Sequence, residues 1–231
     1  RACRIPEPQI CEPKGRSMKH ITFYLDFVSP YAWLAFAQLP EQLRGISCHV
    51  RYRPVLLGAL LKKYANPGPA GIPPKRDWTY RHAEWLGHAQ GTPLHMPLHH
   101  PFNPLPLLRL ALECSDDGCI NRFTAETIFR HVWEGGADAL APERLAALRT
   151  QLSAQLRTDE QAAERAKALL RSNTEDASTA GLFGVPSLAF DERVFFGLDG
   201  LPMLRACLQG DSWFDQGRWE AAASVEQGLQ A

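Results

Sequence analysis

Residues 21–27, Ile-Thr-Phe-Tyr-Leu-Asp-Phe, are apolar, aromatic and β-branched with little interruption, the composition of a buried strand. Ser29 and Pro30 follow, and then Trp33, Leu34, Phe36, Ala37 and Leu39 recur at helical spacing. Serine is favoured at an N-cap and proline at the first helical position. The pattern therefore predicts a strand, a tight turn and a helix over 30–43, broken by Gly45. Cys48, Val50 and Tyr52 then alternate with His49, Arg51 and Arg53, which predicts a second strand over 47–53 closed by Pro54. Two strands joined through a helix imply a right-handed crossover and a parallel pair.

The middle of the chain carries helical punctuation. Helices are predicted over 56–64, 76–90, 106–114, 121–133, 142–156 and 159–182, with proline- and glycine-rich loops at 66–74 and 92–104. Trp78, His82 and Trp85 fall on or near one helix face, and Leu107, Leu108, Leu110, Ala111 and Leu112 leave little polar face, which predicts burial. Asn121, and Thr158 with Asp159, read as caps. Strand patterning returns at 187–190 and 193–196 around Asp191-Glu192, a hairpin, followed by a helix over 201–208. A tail with Trp213, Phe214 and Trp219 is expected to pack as a loop and short helix. The fold class is α/β.

Composition narrows the function. A chain of 231 residues can bury one core with an insertion. Lys plus Arg and Asp plus Glu both number 25, so no electrostatic footprint for nucleic acid or an anionic membrane exists. No apolar run is long enough to predict a transmembrane helix. The six cysteines form no Cys-x-x-Cys pair and no zinc spacing. Cys48 and Cys207 read as small buried apolar residues. Cys114 and Cys119 flank a Ser-Asp-Asp-Gly turn, where they could pair, though a reduced pair in a cytoplasmic protein is the expectation. Residues 1–17 are rich in proline and charge and lack a signal peptide's apolar region. With Met18 as a natural start, they read as a tag, a reading-frame extension or a disordered tail.

Chemistry concentrates at Ser29. A hydroxyl and free backbone N–H groups at a helix N-terminus stabilise an anion. From that turn alone, Ser29 reads as a helix cap. Gly184-Val185-Pro186-Ser187 adds a second feature, a loop entering a strand with proline where a ladder N–H is not needed. Strand-turn-helix at one end and Val-Pro-strand at the other resemble the thioredoxin superfamily, in which the Val-Pro bond is cis and lies beside the first helix's N-terminus. The likeness extends over most of the chain through FYLDFVSPYAWLA (23–35), RPVLLGALLKKYANPGPAGIPPKR (53–76), HPFNPLPLLRLAL (100–112), VWEGGADALAPERL (132–145) and GLFGVPSLAFDERVFFGLDGL (181–201). In order and spacing these blocks resemble 2-hydroxychromene-2-carboxylate isomerases, grouped with kappa-class glutathione transferases.

The resemblance implies a thioredoxin-like βαβ…ββα core formed by 18–54 and 183–231, with an all-helical insertion over 55–182. It also implies glutathione as cofactor, a small aromatic keto acid as substrate, and a homodimer. Ser29 would donate its hydroxyl to the glutathione sulfur, a charge-assisted bond of about 1.5–3 kcal/mol. The carried-over glutathione contacts are Val185 beside Pro186, Asn66, Lys75, Leu198 and Asp199. Leu198 stands where the transferases have a small polar residue, so only its backbone N–H would serve. Read without the family, Asn66 is a turn residue, Lys75 solvated surface and Asp199 a cap. The loop 99–103 would lie over the substrate, with Asn103, Arg109 and Arg53 as partners for its carboxylate or hydroxyl. Tyr31 and Phe102 offer aromatic surface, and Trp33 reads as core. His95, His99 and His100 do not suggest a metal, because adjacent histidines converge poorly on one ion and no carboxylate or cysteine lies near them. The absence of Cys-x-x-Cys at Ser29-Pro30-Tyr31-Ala32 argues against a disulfide oxidoreductase. The alternatives are a transferase acting on another electrophile and a non-catalytic binding protein.

Overall fold

The computed structural model describes residues 18–226 and 228; the predicted extension, with Cys3 and Cys11, lies outside them. A strand β1 (Lys19–Leu25) leads through helix α1 (Pro30–Gln42) to β2 (Cys48–Pro54). β1 and β2 run parallel, Phe23 opposite Tyr52. The hairpin β3 (Ser187–Phe190) and β4 (Arg193–Phe196) completes the sheet, with β3 antiparallel to β1 and the strand order β2-β1-β3-β4. Helix α8 (Gly200–Gln209) follows, and the tail forms a 3-10 turn over Ser212–Phe214 and a short helix α9 (Arg218–Ala223).

Between β2 and β3 the chain is helical among the described residues: α2 (Leu57–Lys63), α3 (Pro73–Gln90), α4 (Leu105–Glu113), α5 (Arg122–Trp133), α6 (Pro142–Gln151) and α7 (Ala162–Thr179). Asn121 caps α5 by accepting the Thr124 N–H at 2.8 Å. Several boundaries differ from the sequence pattern for local reasons. α3 begins at Pro73 rather than 76, because proline is suited to the first turn. α7 begins at Ala162 rather than 159, because Asp159 turns the chain by accepting the Gln161 N–H and pairs with Arg165. β1 ends at Leu25 rather than Phe27, where Asp26 diverts the backbone.

The helical segment shares its core with the sheet. Phe23 of β1, Trp33 and Phe36 of α1 and Phe129 and Trp133 of α5 are buried in one cluster. Phe36 and Phe129 lie 5.2 Å apart between ring centres, and Phe27 and Phe129 5.0 Å. Rings of this size contribute heavily to burial and fix the α1–α5 packing that holds the end of β1. Cys48, Cys114, Cys119 and Cys207 are free thiols. No helix of the described residues is long and apolar enough to cross a membrane.

Candidate active site

The turn between β1 and α1 is held by its carbonyls. The Asp26 oxygen accepts the Ser29 N–H at 3.1 Å, and the Ser29 oxygen accepts from Ala32 and Trp33. The Phe27 oxygen accepts from Trp133 Nε1 at 3.1 Å, and the Val28 oxygen lies 2.7 Å from His100 Nε2. Because a carbonyl only accepts, His100 Nε2 carries the hydrogen in that bond. Each acceptor from 26 to 29 thus faces protein, whereas the Tyr31 N–H makes no hydrogen bond among the described residues. An excess of donors at a helix N-terminus gives the cavity in front of it a positive potential.

Ser29 is the buried N-cap of α1. Its Oγ accepts from Ala32 N at 3.2 Å and donates across to Val185 O over a long 3.4 Å. The Val185–Pro186 bond is cis, and the Val185 N–H has no hydrogen-bond partner among the described residues. Gly197 N donates to Pro186 O at 2.9 Å and adopts φ +82°, a left-handed conformation suited to glycine. A Cβ there would lie 2.4 Å from Asp199 Oδ1, so glycine permits the Asp199 carboxylate to sit where it does.

Asp26 lies beneath the turn and is fully buried. Its two carboxyl oxygens accept from Val28 N at 3.2 Å and Leu57 N at 2.9 Å, tying β1 to the start of α2. Burial pushes its pKa up to about 7, against the pull of those N–H groups. His100 is held below the ordinary imidazole value by burial, opposed by its bond to Val28. The His100–Pro101 bond is also cis. His100 Nδ1 and the His100 carbonyl lie 2.8 and 2.9 Å from the Tyr80 hydroxyl, and with the ring hydrogen on Nε2 these two acceptors share that phenol's one hydrogen.

A cavity of about 1050 Å³ opens in front of this turn. Ser29, Val185, Pro186, Leu198 and Asp199 line it, as do Asn66 and Lys75 from the other rim. Asn66 also accepts the Gly68 N–H at 2.9 Å, so it stabilises its own loop. α3 supplies the far wall through Trp78, His82, Leu86 and Gln90, and α1 supplies Tyr31 and Gln38. Phe102 lines it too, but Asn103 does not; the Asn103 Oδ1 accepts the Leu105 N–H at 3.1 Å at the start of α4.

Arg53 and Arg109 are likewise not among the lining residues. Arg53 donates to Asn173 Oδ1 at 2.7 Å and to Asp176 at 2.5 Å, so α7 occupies its guanidinium. Arg109 lies on α4, with its Nε buried and without a partner among the described residues. The structure thus places Asn103, Arg53 and Arg109, the expected partners of a substrate's carboxylate or hydroxyl, outside the cavity lining. The lysine and arginine that line the cavity are Lys75 and Arg76, and the Arg76 guanidinium lies 3.4 Å from Asp77 Oδ1. The sequence pattern placed His82 on a helix face without a role and did not single out Thr79 or the acid Asp26. The Trp78, His82 and Trp85 spacing marked the right helix face, but not the cavity beneath it. Among the described residues, no group of three or more His, Cys, Asp or Glu side chains could hold a metal ion.

The DSBA-like thioredoxin domain matches residues 20–209. The chain belongs to that family. Within it, this DSBA-like domain is 26 % identical over 203 residues to a 2-hydroxychromene-2-carboxylate isomerase of Sphingobium xenophagum, covering 82 % of this chain and 98 % of the relative. It is 24 % identical over 221 residues to human glutathione S-transferase kappa 1, covering 86 % of this chain and 94 % of the relative. A solved 2-hydroxychromene-2-carboxylate isomerase superposes with a TM-score of 0.65 at 22 % identity over 89 % of this chain and all of the other, which establishes the shared fold. In this DSBA-like domain Ser29-Pro30-Tyr31-Ala32 stands at the helix end, and none of the described cysteines lines the cavity. None of the described residues therefore brings a sulfur to that helix end.

Proposed function

We propose that the protein binds glutathione along Val185–Pro186 and acts as an isomerase on an aromatic unsaturated keto acid of the 2-hydroxychromene-2-carboxylate type. The observation that carries this reading is the meeting of the Ser29 hydroxyl, the unpaired Tyr31 N–H and the unpaired Val185 N–H at one end of a largely apolar cavity. The residues fit the tripeptide. Val185 can pair its backbone with the peptide, as an added strand does. Lys75 suits a carboxylate and Asp199 an amine, with Asn66 and the Leu198 N–H beside them. The relatives' names, an isomerase and a glutathione transferase, support the same reading.

Bound glutathione supplies a thiolate that adds reversibly to the conjugated double bond, so that the bond can rotate before elimination. Ser29 exchanges its long contact with Val185 O for a hydrogen bond to the sulfur, and its hydroxyl rotates freely enough to do so. The positive end of α1 favours the charged sulfur before attack and on departure. Trp78, Leu86 and Phe102 offer a flat aromatic substrate apolar surface, and Arg76 would turn from Asp77 to take its carboxylate. The protein needs no metal in this scheme, and it acts in the cytoplasm, where glutathione is abundant, as a homodimer.

The test titrates glutathione while following thiolate absorbance, and follows 2-hydroxychromene-2-carboxylate with and without glutathione, for wild type and Ser29→Ala. Thiolate formation and glutathione-dependent isomerisation are expected in wild type. Loss of one donor to a developing anion in Ser29→Ala should lower the rate about 10²–10³-fold. A released adduct would make the protein a transferase. No glutathione binding would leave a binding protein and sink the proposal.

A further inference from the structure

Tyr31 sits two residues after Ser29 and lines the same cavity. Its hydroxyl lies 3.0 Å from His82 Nδ1. Burial raises the Tyr31 pKa above the ordinary phenol value, so the group keeps its proton at neutral pH. The second phenol of the cavity, Tyr80, is engaged twice by His100, whereas Tyr31 has His82 as its one hydrogen-bond partner among the described residues. His82 cannot swing freely. Its ring is stacked between Trp78 and Trp85, at 5.7 and 6.4 Å between centres and 12° from parallel to each. Offset stacking at such separations is a favourable arrangement that resists ring rotation. The imidazole therefore presents Nδ1 to Tyr31 in a fixed direction.

We propose that Tyr31 is a further catalytic residue, donating its hydroxyl hydrogen to the carbonyl oxygen of the keto acid, and that His82 is a positioning residue that aims it. The assignment rests on the reading of the cavity as the place where a thiolate meets an unsaturated keto acid. The proposal assigns the hydrogen of this contact to His82 Nδ1, so that the phenol's own hydrogen is left to point into the cavity. When sulfur bonds to the β-carbon, the double-bond pair moves toward the carbonyl and negative charge gathers on its oxygen. Tyr31 stabilises that charge by a hydrogen bond; no proton is transferred, and elimination returns the electron pair. Ser29 and Tyr31 then serve opposite ends of the same electron movement from one helix terminus.

The carbonyl contact can be read without reaction. Benzylidenepyruvate is added to protein saturated with S-methylglutathione, whose sulfur is blocked. A hydrogen bond to the conjugated carbonyl should move the probe's absorption band to longer wavelength in wild type. Tyr31→Phe should abolish the shift while the probe still binds, leave the glutathione thiolate absorbance intact, and slow turnover about 10²-fold. His82→Phe keeps the aromatic stack without the donor and should lose most of the shift. His82→Asn, which retains an N–H near the Nδ1 position, should restore part of it; a purely structural role would predict no loss in His82→Phe. A band shift that survives in Tyr31→Phe, or its absence in wild type, overturns the assignment. So does loss of the thiolate in Tyr31→Phe, which would move Tyr31's role to the sulfur. Wild type that forms no thiolate would instead remove the glutathione reading, while the band shift, read without a free thiol, still decides the role of Tyr31.

Discussion

The two walls of the cavity fix their polar groups by different means. On the Ser29 side the backbone does the work: two partners distant in sequence hold it, Trp133 on the Phe27 carbonyl and His100 on the Val28 carbonyl, and the turn's own Asp26 binds the N–H groups of Val28 and Leu57. Phe27, Trp133 and Asp26 are fully buried. On the α3 side the polar group is one side chain, His82, gripped by two indoles that remain 63 % and 61 % exposed. A hydrogen bond buried among packed rings is costly to break, because the group left behind is unsatisfied in a poorly polar medium. A stack at the surface costs little to open. The first wall is fixed by buried hydrogen bonds, and the second aims its one imidazole by stacking alone.

The comparison breaks most visibly at Trp133. Trp133→Ala removes a fully buried ring and the donor to the Phe27 carbonyl, so it should destabilise by about 3–5 kcal/mol. Urea unfolding would measure this, and a loss below about 1 kcal/mol would mean that α5 does not brace the turn.

Asp26 gives the next effect, and it depends on pH. An unfolded aspartate titrates near 3.9, whereas Asp26 in the fold titrates at about 7. Below about pH 4 both states are protonated. Between about 4 and 7 the unfolded chain gives up its proton first, so the protein loses stability as pH rises, by roughly 1.4 kcal/mol per unit and roughly 4 kcal/mol in all; above 7 the loss is complete. His100 and His131, held low by burial, act in the opposite sense, losing stability as pH falls below about 6.5. The difference between wild type and Asp26→Asn isolates the carboxyl. The amide should be less stable than wild type at pH 5, where its NH₂ faces a backbone donor, and the gap should close or reverse at pH 8. A gap that stays constant would mean that Asp26 titrates as an ordinary carboxyl.

Local pattern carried most of the fold. The β1–α1 turn, the hairpin and the Asn121 cap each depend on residues next to one another, and propensity and capping act over that range. What escaped is long-range. Asp26 reads as one polar interruption in a strand, and nothing nearby says that the Leu57 N–H will reach it. Arg53 alternates outward along β2 as read, but only tertiary packing sets α7 over it, with Asn173 and Asp176. The cavity's extension along α3 was half visible. The spacing of Trp78, His82 and Trp85 marks one face, yet that spacing is equally that of a helix packed on a neighbour.

His100 allows the sturdier wall to be weakened without opening the core. His100→Ala leaves the Val28 carbonyl without its donor, while the Tyr80 hydroxyl keeps its bond to the residue-100 backbone carbonyl, and should cost about 1–3 kcal/mol. It should also weaken glutathione binding, because the turn carrying Ser29 loses its tether. Unchanged binding in a folded, destabilised variant would show that Trp133 and Asp26 are enough to hold the turn.

The smallest stability change belongs to the α3 wall. Trp85 is mostly exposed, does not line the cavity, and stacks on His82 at 6.4 Å between centres. Trp85→Ala should alter stability by less than about 1 kcal/mol, as surface changes usually do. If the stack exists to aim His82, this distant and thermodynamically silent change should still weaken the benzylidenepyruvate band shift and turnover while leaving the glutathione thiolate as it is. Trp78→Ala touches the cavity directly and would confound aim with contact; Trp85→Ala does not. A band shift equal to that of wild type in Trp85→Ala would mean that Trp78 alone orients the imidazole, and that the outer indole is no part of the cavity's second wall.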